Sequence, residues 1–181
     1  MARKLEESFF GRPANIVARE LLGKVIVRKM GASILKAKIV EDEAYFGEDD
    51  PASWARFGKR KSNAAMWEKP GTILVKNVHK HFMLNFVTGK EGEPEAVLIR
   101  ALEPLNFSGR CSGPGLLTKA LGISKSFNGK KFSGEIYVSD GGNADFETGE
   151  SFRTGVKKDL EFPLRFYIKG NQFVSGKQNG K

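Results

Sequence analysis

Lys38-Ile39-Val40-Glu41-Asp42-Glu43-Ala44-Tyr45-Phe46-Gly47 is the stretch from which both the fold and the chemistry of this chain can be read. It opens as a strand, with β-branched Ile39 and Val40 among residues that alternate in character. Strand side chains point to opposite faces with a period of two. Ala37, Ile39, Glu41, Glu43 and Tyr45 therefore share one face, and Lys38, Val40, Asp42 and Ala44 the other. Glu43 then stands roughly 6–7 Å from Tyr45 along the strand. Gly47 and the acidic Glu48-Asp49-Asp50 end the run. A carboxylate beside an aromatic ring at a strand mouth can hold a flat substrate and act on it. The same spacing also fits two solvated acids and a half-buried tyrosine at a strand end.

The surroundings of that stretch limit the choices. With 181 residues, 40% hydrophobic and 28% charged, the chain suits a single globular domain over 1–181, with a polar tail from about Gly176. No apolar run reaches the length of a membrane span, and residues 1–10 lack a signal-peptide core. Cys111 is the only cysteine, which excludes an internal disulfide and a cysteine-based zinc cluster and fits an intracellular, reducing location. The net charge of +9 favours polyanions such as DNA, RNA or an anionic membrane. Lysines and arginines are spread over the whole chain, so the charge belongs to the folded body. Against it, the window 41–50 holds six acids in ten residues. Carboxylates repel phosphates, so acids in a polyanion binder point to work: a general base or metal ligation.

Further out, Pro13 and Gly23 bracket a short helix with Val17, Ala18, Leu21 and Leu22 on one face. Lys24–Lys29 is a strand, joined to the anchor strand by a turn at Met30–Ser33. Asp50–Lys69 is loop-like or weakly helical. Thr72–Val78 is a strand that His79–Val87 continues. Ala96–Leu102 is a well-covered central strand, interrupted by Arg100, whose guanidinium needs an acidic partner and could meet Glu43. Ser112-Gly113-Pro114 starts a helix ending at Gly122, Ile136–Val138 is a short strand, Asp140–Glu150 a loop and Phe162–Lys169 a final strand. Strands outnumber helices and neighbours run antiparallel. The class is α+β: one curved, mainly antiparallel β-sheet with a few flanking helices.

The motifs Phe9-Phe10-x-x-Pro13, Ile39-Val40-Glu41-Asp42-Glu43-Ala44-Tyr45-x-Gly47, Lys69-Pro70-Gly71-Thr72, Phe82-x-x-Asn85, Leu98-Ile99-Arg100-Ala101-Leu102-Glu103-Pro104, Cys111-Ser112-Gly113-Pro114 and Pro163-Leu164-Arg165-Phe166-Tyr167 follow in that order. The ordered set, over about residues 5–175, resembles the alkyladenine (3-methyladenine) DNA glycosylases of the mammalian type. That resemblance implies a monomeric, monofunctional enzyme of base-excision repair. It would flip a damaged purine (3-methyladenine, 7-methylguanine, hypoxanthine or ethenoadenine) out of double-stranded DNA. It would then hydrolyse the N-glycosidic bond with water, using no metal or cofactor. The resemblance makes Glu43 the base that deprotonates the water and Arg100 the group that positions it. A backbone carbonyl near Val156 completes the water site. Tyr45 stacks on the flipped base, and Asn85 crowds the exocyclic amine of normal guanine.

Departures from the family pattern bear on substrate choice. Relatives carry a histidine on the second pocket wall where this chain has Trp54. The segment that supplies their wedge into the base stack is one residue shorter here, which leaves His79 as the wedge and His81 as a pocket residue. The family's aromatic near Lys76 is absent. Without the resemblance, two other readings stand: a metal-dependent nuclease or phosphodiesterase using Glu41, Glu43, Asp49 and Asp50, and a non-catalytic nucleic-acid binding module.

Overall fold

The computed structural model describes residues 3–131, 134–141 and 145–176; the polar tail after Gly176 lies outside the described residues. Its centre is β2 (Ser33–Tyr45), thirteen residues long. One edge of β2 is shared. Its first half pairs with β1 (Val25–Met30), and Glu41, Asp42 and Glu43 pair with Tyr167, Phe166 and Arg165 of β8 (Arg165–Ile168). The other edge pairs with β5 (Glu95–Pro104). From β5 the sheet continues through β4 (His81–Thr88) to β3 (Ile73–Val78), and from β1 to β6 (Ile136–Ser139). β7 (Thr148–Ser151) adds to β8, and every pairing is antiparallel, as expected for a curved α+β sheet.

Helix α1 (Glu7–Phe10) and helix α2 (Ala14–Leu21) pack on one face of the sheet, and α3 (Pro114–Ala120) packs against β4 and β5. Pro13 is the N-cap of α2, where its missing N–H costs nothing. A distant carboxylate, Glu95, accepts from the Ala14 N–H at 2.8 Å and closes that helix end. Val17, Ala18 and Leu21 of α2 join Ile39, Val40, Ala44, Phe86, Val97, Ile99 and Phe166 in the main core. Among the described residues no helix is long and apolar enough to cross a membrane.

Three local expectations need correcting. The face assignment in β2 breaks at two offsetting irregularities: against β5, Ile39 lies opposite Leu102 and Glu41 opposite Ala101, leaving Val40 over, and Asp42 then lies opposite Ile99, leaving Arg100 over, so the earlier register is regained at Asp42. Consecutive Ile39 and Val40 of β2, and consecutive Ala101 and Leu102 of β5, all enter the apolar core there, so the core-facing parity changes in both strands together. Ala37 and Ile39 thus leave the face of Glu41, Glu43 and Tyr45. Next, β3 does not run on through His79; Val78 pairs with His81 across a two-residue turn, and His79 adopts φ 54°. Neither turn residue is Gly, Asn or Asp, so the usual signature of this hairpin is missing. The stretch read as a loop from Asp140 contains β7. The helix start read at Ser112-Gly113-Pro114 is α3, with Gly113 as its N-cap. The 50–69 region forms two 3-10 turns, Trp54–Phe57 and Ala64–Trp67.

Candidate active site

Register brings the chemistry together. Asn85 lies opposite Leu98, Leu98 opposite Glu43, and Glu43 opposite Arg165, so one transverse row crosses four strands. Directly paired residues share a face. On that face, away from the main core, lies a cavity of about 550 Å³ lined by Tyr45, Trp54, Asn85, Leu98, Arg100 and Val156, among others.

Glu43 lies under the cavity floor, fully buried. Its Oε2 accepts from the Tyr45 hydroxyl at 2.8 Å, and its Oε1 accepts from the Thr154 backbone N–H at 2.7 Å. Arg100 Nη1 stands 3.4 Å from the same Oε1. Burial pushes the carboxyl pKa up, and Arg100, the Thr154 N–H and the Tyr45 hydroxyl pull part of it back. Burial and the adjacent Glu43 charge also push the Tyr45 phenol well up, so it remains a donor. Arg100 keeps its charge because Glu43 and Glu41 outweigh the cost of its burial.

Glu41 is the hub behind this pair. Its Oε1 accepts from Arg100 Nε at 3.1 Å, Arg165 Nε at 2.7 Å and the Ser175 hydroxyl at 2.9 Å, and its Oε2 from the Ser175 N–H at 2.6 Å. A second network holds the loop that supplies Thr154. Arg153 bonds Asp50 with both terminal nitrogens, at 2.6 and 2.7 Å, and reaches Asp159 Oδ1 at 2.7 and 2.8 Å. It also donates to the Ala44 carbonyl at 3.0 Å, and its Cζ lies 4.5 Å from the Tyr45 ring centroid. One face of Tyr45 is thereby occupied by a guanidinium. Arg153 lowers the Asp50 pKa against the pull of burial.

The cavity's other aromatic, Trp54, opens the 3-10 turn that Ser53 caps by accepting from the Ala55 N–H at 3.1 Å. Asn85 donates its amide nitrogen to the Leu74 and Met83 carbonyls at 3.2 and 3.1 Å, which fixes the side chain rigidly. Val156 is in the cavity wall next to Gly155, Lys157 and Lys158. His79 stands exposed at the hairpin tip, past the pocket residues Val78 and Met83. His81 does not line the cavity. It packs on α3, where a Cβ at Gly115 would fall 2.8 Å from the His81 Cβ. The acids of the nuclease reading do not gather into one cluster: Glu41 and Glu43 meet Arg100, and Asp50 is held by Arg153. Among the described residues, no group of three or more His, Cys, Asp or Glu is arranged to hold a metal ion.

Sequence reasoning missed Arg153, Arg165 and Ser175. Arg165 lies within Pro163–Tyr167, and its apolar surroundings there were a signal that it needs an acid. Arg153 and Ser175 lie in segments without periodicity.

Residues 8–172 match the profile of a family described as methylpurine-DNA glycosylase. A protein of Aeropyrum pernix is 40% identical over 183 residues, spanning 97% of this chain and 94% of the relative. One from Koribacter versatilis is 37% identical, spanning 96% and 94%, and one from Clostridium beijerinckii is 37% identical, spanning 96% and 99%. Each bears the name "Putative 3-methyladenine DNA glycosylase". These relatives are archaeal and bacterial, so they speak for the family and not for its mammalian branch.

Proposed function

The chain belongs to the methylpurine-DNA glycosylase family and is a DNA N-glycosylase of DNA repair; we propose that it flips alkylated or deaminated purines out of duplex DNA and hydrolyses their glycosidic bond with a water activated by Glu43. The observation that carries this reading is a fully buried carboxylate under an aromatic-walled cavity, held by three groups of that cavity's lining. A carboxylate oxygen has two lone pairs, and Glu43 Oε2 uses one on Tyr45. The second is available to a water. A raised pKa makes Glu43 a stronger base, and Arg100 beside it keeps a useful fraction ionised. As the purine departs, the sugar becomes oxocarbenium-like, and the same negative charge stabilises it.

The other residues handle the base. Its face lies against the open side of Tyr45, with Trp54 as the second wall. The two rings stack on the faces of the purine. The rigid Asn85 amide obstructs the exocyclic amine of normal guanine. His79, at the exposed hairpin tip, fills the stack left by the flipped base, and a backbone carbonyl at Val156 helps hold the water. Extrusion costs a few kcal/mol and costs least for badly paired bases, so damage itself favours entry. Arg56, Lys157 and Lys158 at the cavity rim meet phosphates.

The test offers the protein separate duplexes bearing 3-methyladenine, 7-methylguanine, ethenoadenine or hypoxanthine, with EDTA present, and follows free base by chromatography. Glu43→Gln is expected to bind lesion duplex and release no base. Undiminished release by that variant overturns the assignment.

A further inference from the structure

We propose that Lys76 sets the charge preference of the base pocket, biasing excision toward neutral purine lesions and away from cationic ones; this rests on the glycosylase reading of the pocket. Both aromatic walls are backed by a cation. Arg153 Cζ lies 4.5 Å from the Tyr45 ring centroid, and Lys76 Nζ lies 4.4 Å from that of Trp54. The two backings differ in balance. Arg153 is bonded to two carboxylates, Asp50 and Asp159, so its surroundings carry no net positive charge. The Lys76 ammonium donates to a neutral carbonyl, Ser62 O, at 2.6 Å. Among the described residues no carboxylate pairs with it.

Lys76 is 7% exposed and is not part of the cavity lining, so its charge is sensed through the indole and little screened by water. An aromatic face attracts cations through its quadrupole. A cation already on one face competes for that attraction, and a charged base stacked on the other would sit about 8 Å from the ammonium at ordinary contact distances. Burial and the charge of Lys125 lower the Lys76 pKa, which is what an ammonium held without a counter-ion shows. Arg56, Lys157 and Lys158 at the rim repel a cationic base in the same sense. A neutral base such as hypoxanthine feels none of this and still gains the stacking.

The test compares single-turnover release of 7-methylguanine, a cationic base, with that of hypoxanthine from matched duplexes. Lys76→Met keeps the length and apolar stem of the side chain and removes the charge. The 7-methylguanine to hypoxanthine rate ratio is expected to rise about tenfold in Lys76→Met, a size consistent with two like charges about 8 Å apart in a partly shielded site. Lys76→Arg keeps the charge and is expected to keep the wild-type ratio. Each ratio is internal to one preparation, so a lower folded fraction cancels. A change under twofold in Lys76→Met, or an equal change in Lys76→Arg, overturns the proposal while leaving the glycosylase reading intact. Absence of release from both duplexes by the unaltered protein overturns both.

Discussion

Replacing Asp42 by Asn should make the protein more stable, by a margin that widens as pH rises. Asp42 lies on the core side of β2, opposite Ile99 and Phe166, fully buried, and among the described residues neither carboxyl oxygen has a hydrogen-bond partner. Burial raises its pKa well above the ordinary value, and the charges of Glu41 and Glu43 add to this. In the unfolded chain the group titrates near ~3.9. A raised native pKa means that folding takes up a proton. The contribution of Asp42 is fully present below the unfolded pKa and is lost as pH rises through the native one. Between the two, one proton of linkage costs about 1.4 kcal/mol per pH unit. Asn occupies nearly the same volume and cannot ionise, so it removes the slope. The assay is urea unfolding of both proteins at pH 5, 6 and 7, followed by circular dichroism. The stability difference should grow in favour of Asp42→Asn by about 1.4 kcal/mol per unit until the native pKa is passed. Buried Glu43 and half-buried Glu95, the other acids with raised pKa, are common to both proteins and cancel. A difference that does not vary with pH would show that Asp42 is ionised in the native state and would refute the reasoning. Base release should survive the change, because Asp42 faces away from the cavity.

Tyr45→Phe removes a hydrogen bond that lowers the Glu43 pKa; if Glu43 is the base, as proposed, it must be ionised, so the acid limb of the kcat/KM profile should move to higher pH, and an unmoved limb would contradict that role. Glu41→Gln leaves Arg100 and Arg165 buried without their shared carboxylate, so denaturation should show a loss of about 3–5 kcal/mol; a loss below ~1 kcal/mol would mean the network is not a stabilising unit. Removing Lys157 and Lys158 together should flatten the dependence of log K on log salt by roughly 0.9 for each phosphate no longer neutralised, and an unchanged slope in a binding titration would place the DNA elsewhere.

Much of this site was legible because its parts obey local rules. Alternation in Glu41–Tyr45 put acid and ring on one face, and an arginine inside the apolar run 96–102 announced an acidic partner on an adjacent strand. What stayed hidden depends on contacts distant in sequence. The bulge at Val40 has no compositional mark, since Ile39 and Val40 suit a strand with or without it. The turn at His79-Lys80 lacks the residues that usually declare a hairpin. Arg153 sits in a segment with no periodicity, and its meaning comes from Asp50, 103 positions away. The placement of His81 was set by the approach of Gly115 in α3, which no local pattern encodes.

The leftover residue at Val40 has a consequence for how this chain can vary. Excising it would leave Arg100 of β5 without the residue that offsets it, and the pairing from Asp42 on would slip by one position. Glu43 would no longer lie opposite Leu98 and Arg165, in the row that sets it under the cavity. Length in β2 is therefore matched to length in β5: a position lost from one strand must be lost from the other for the carboxylate to keep its place.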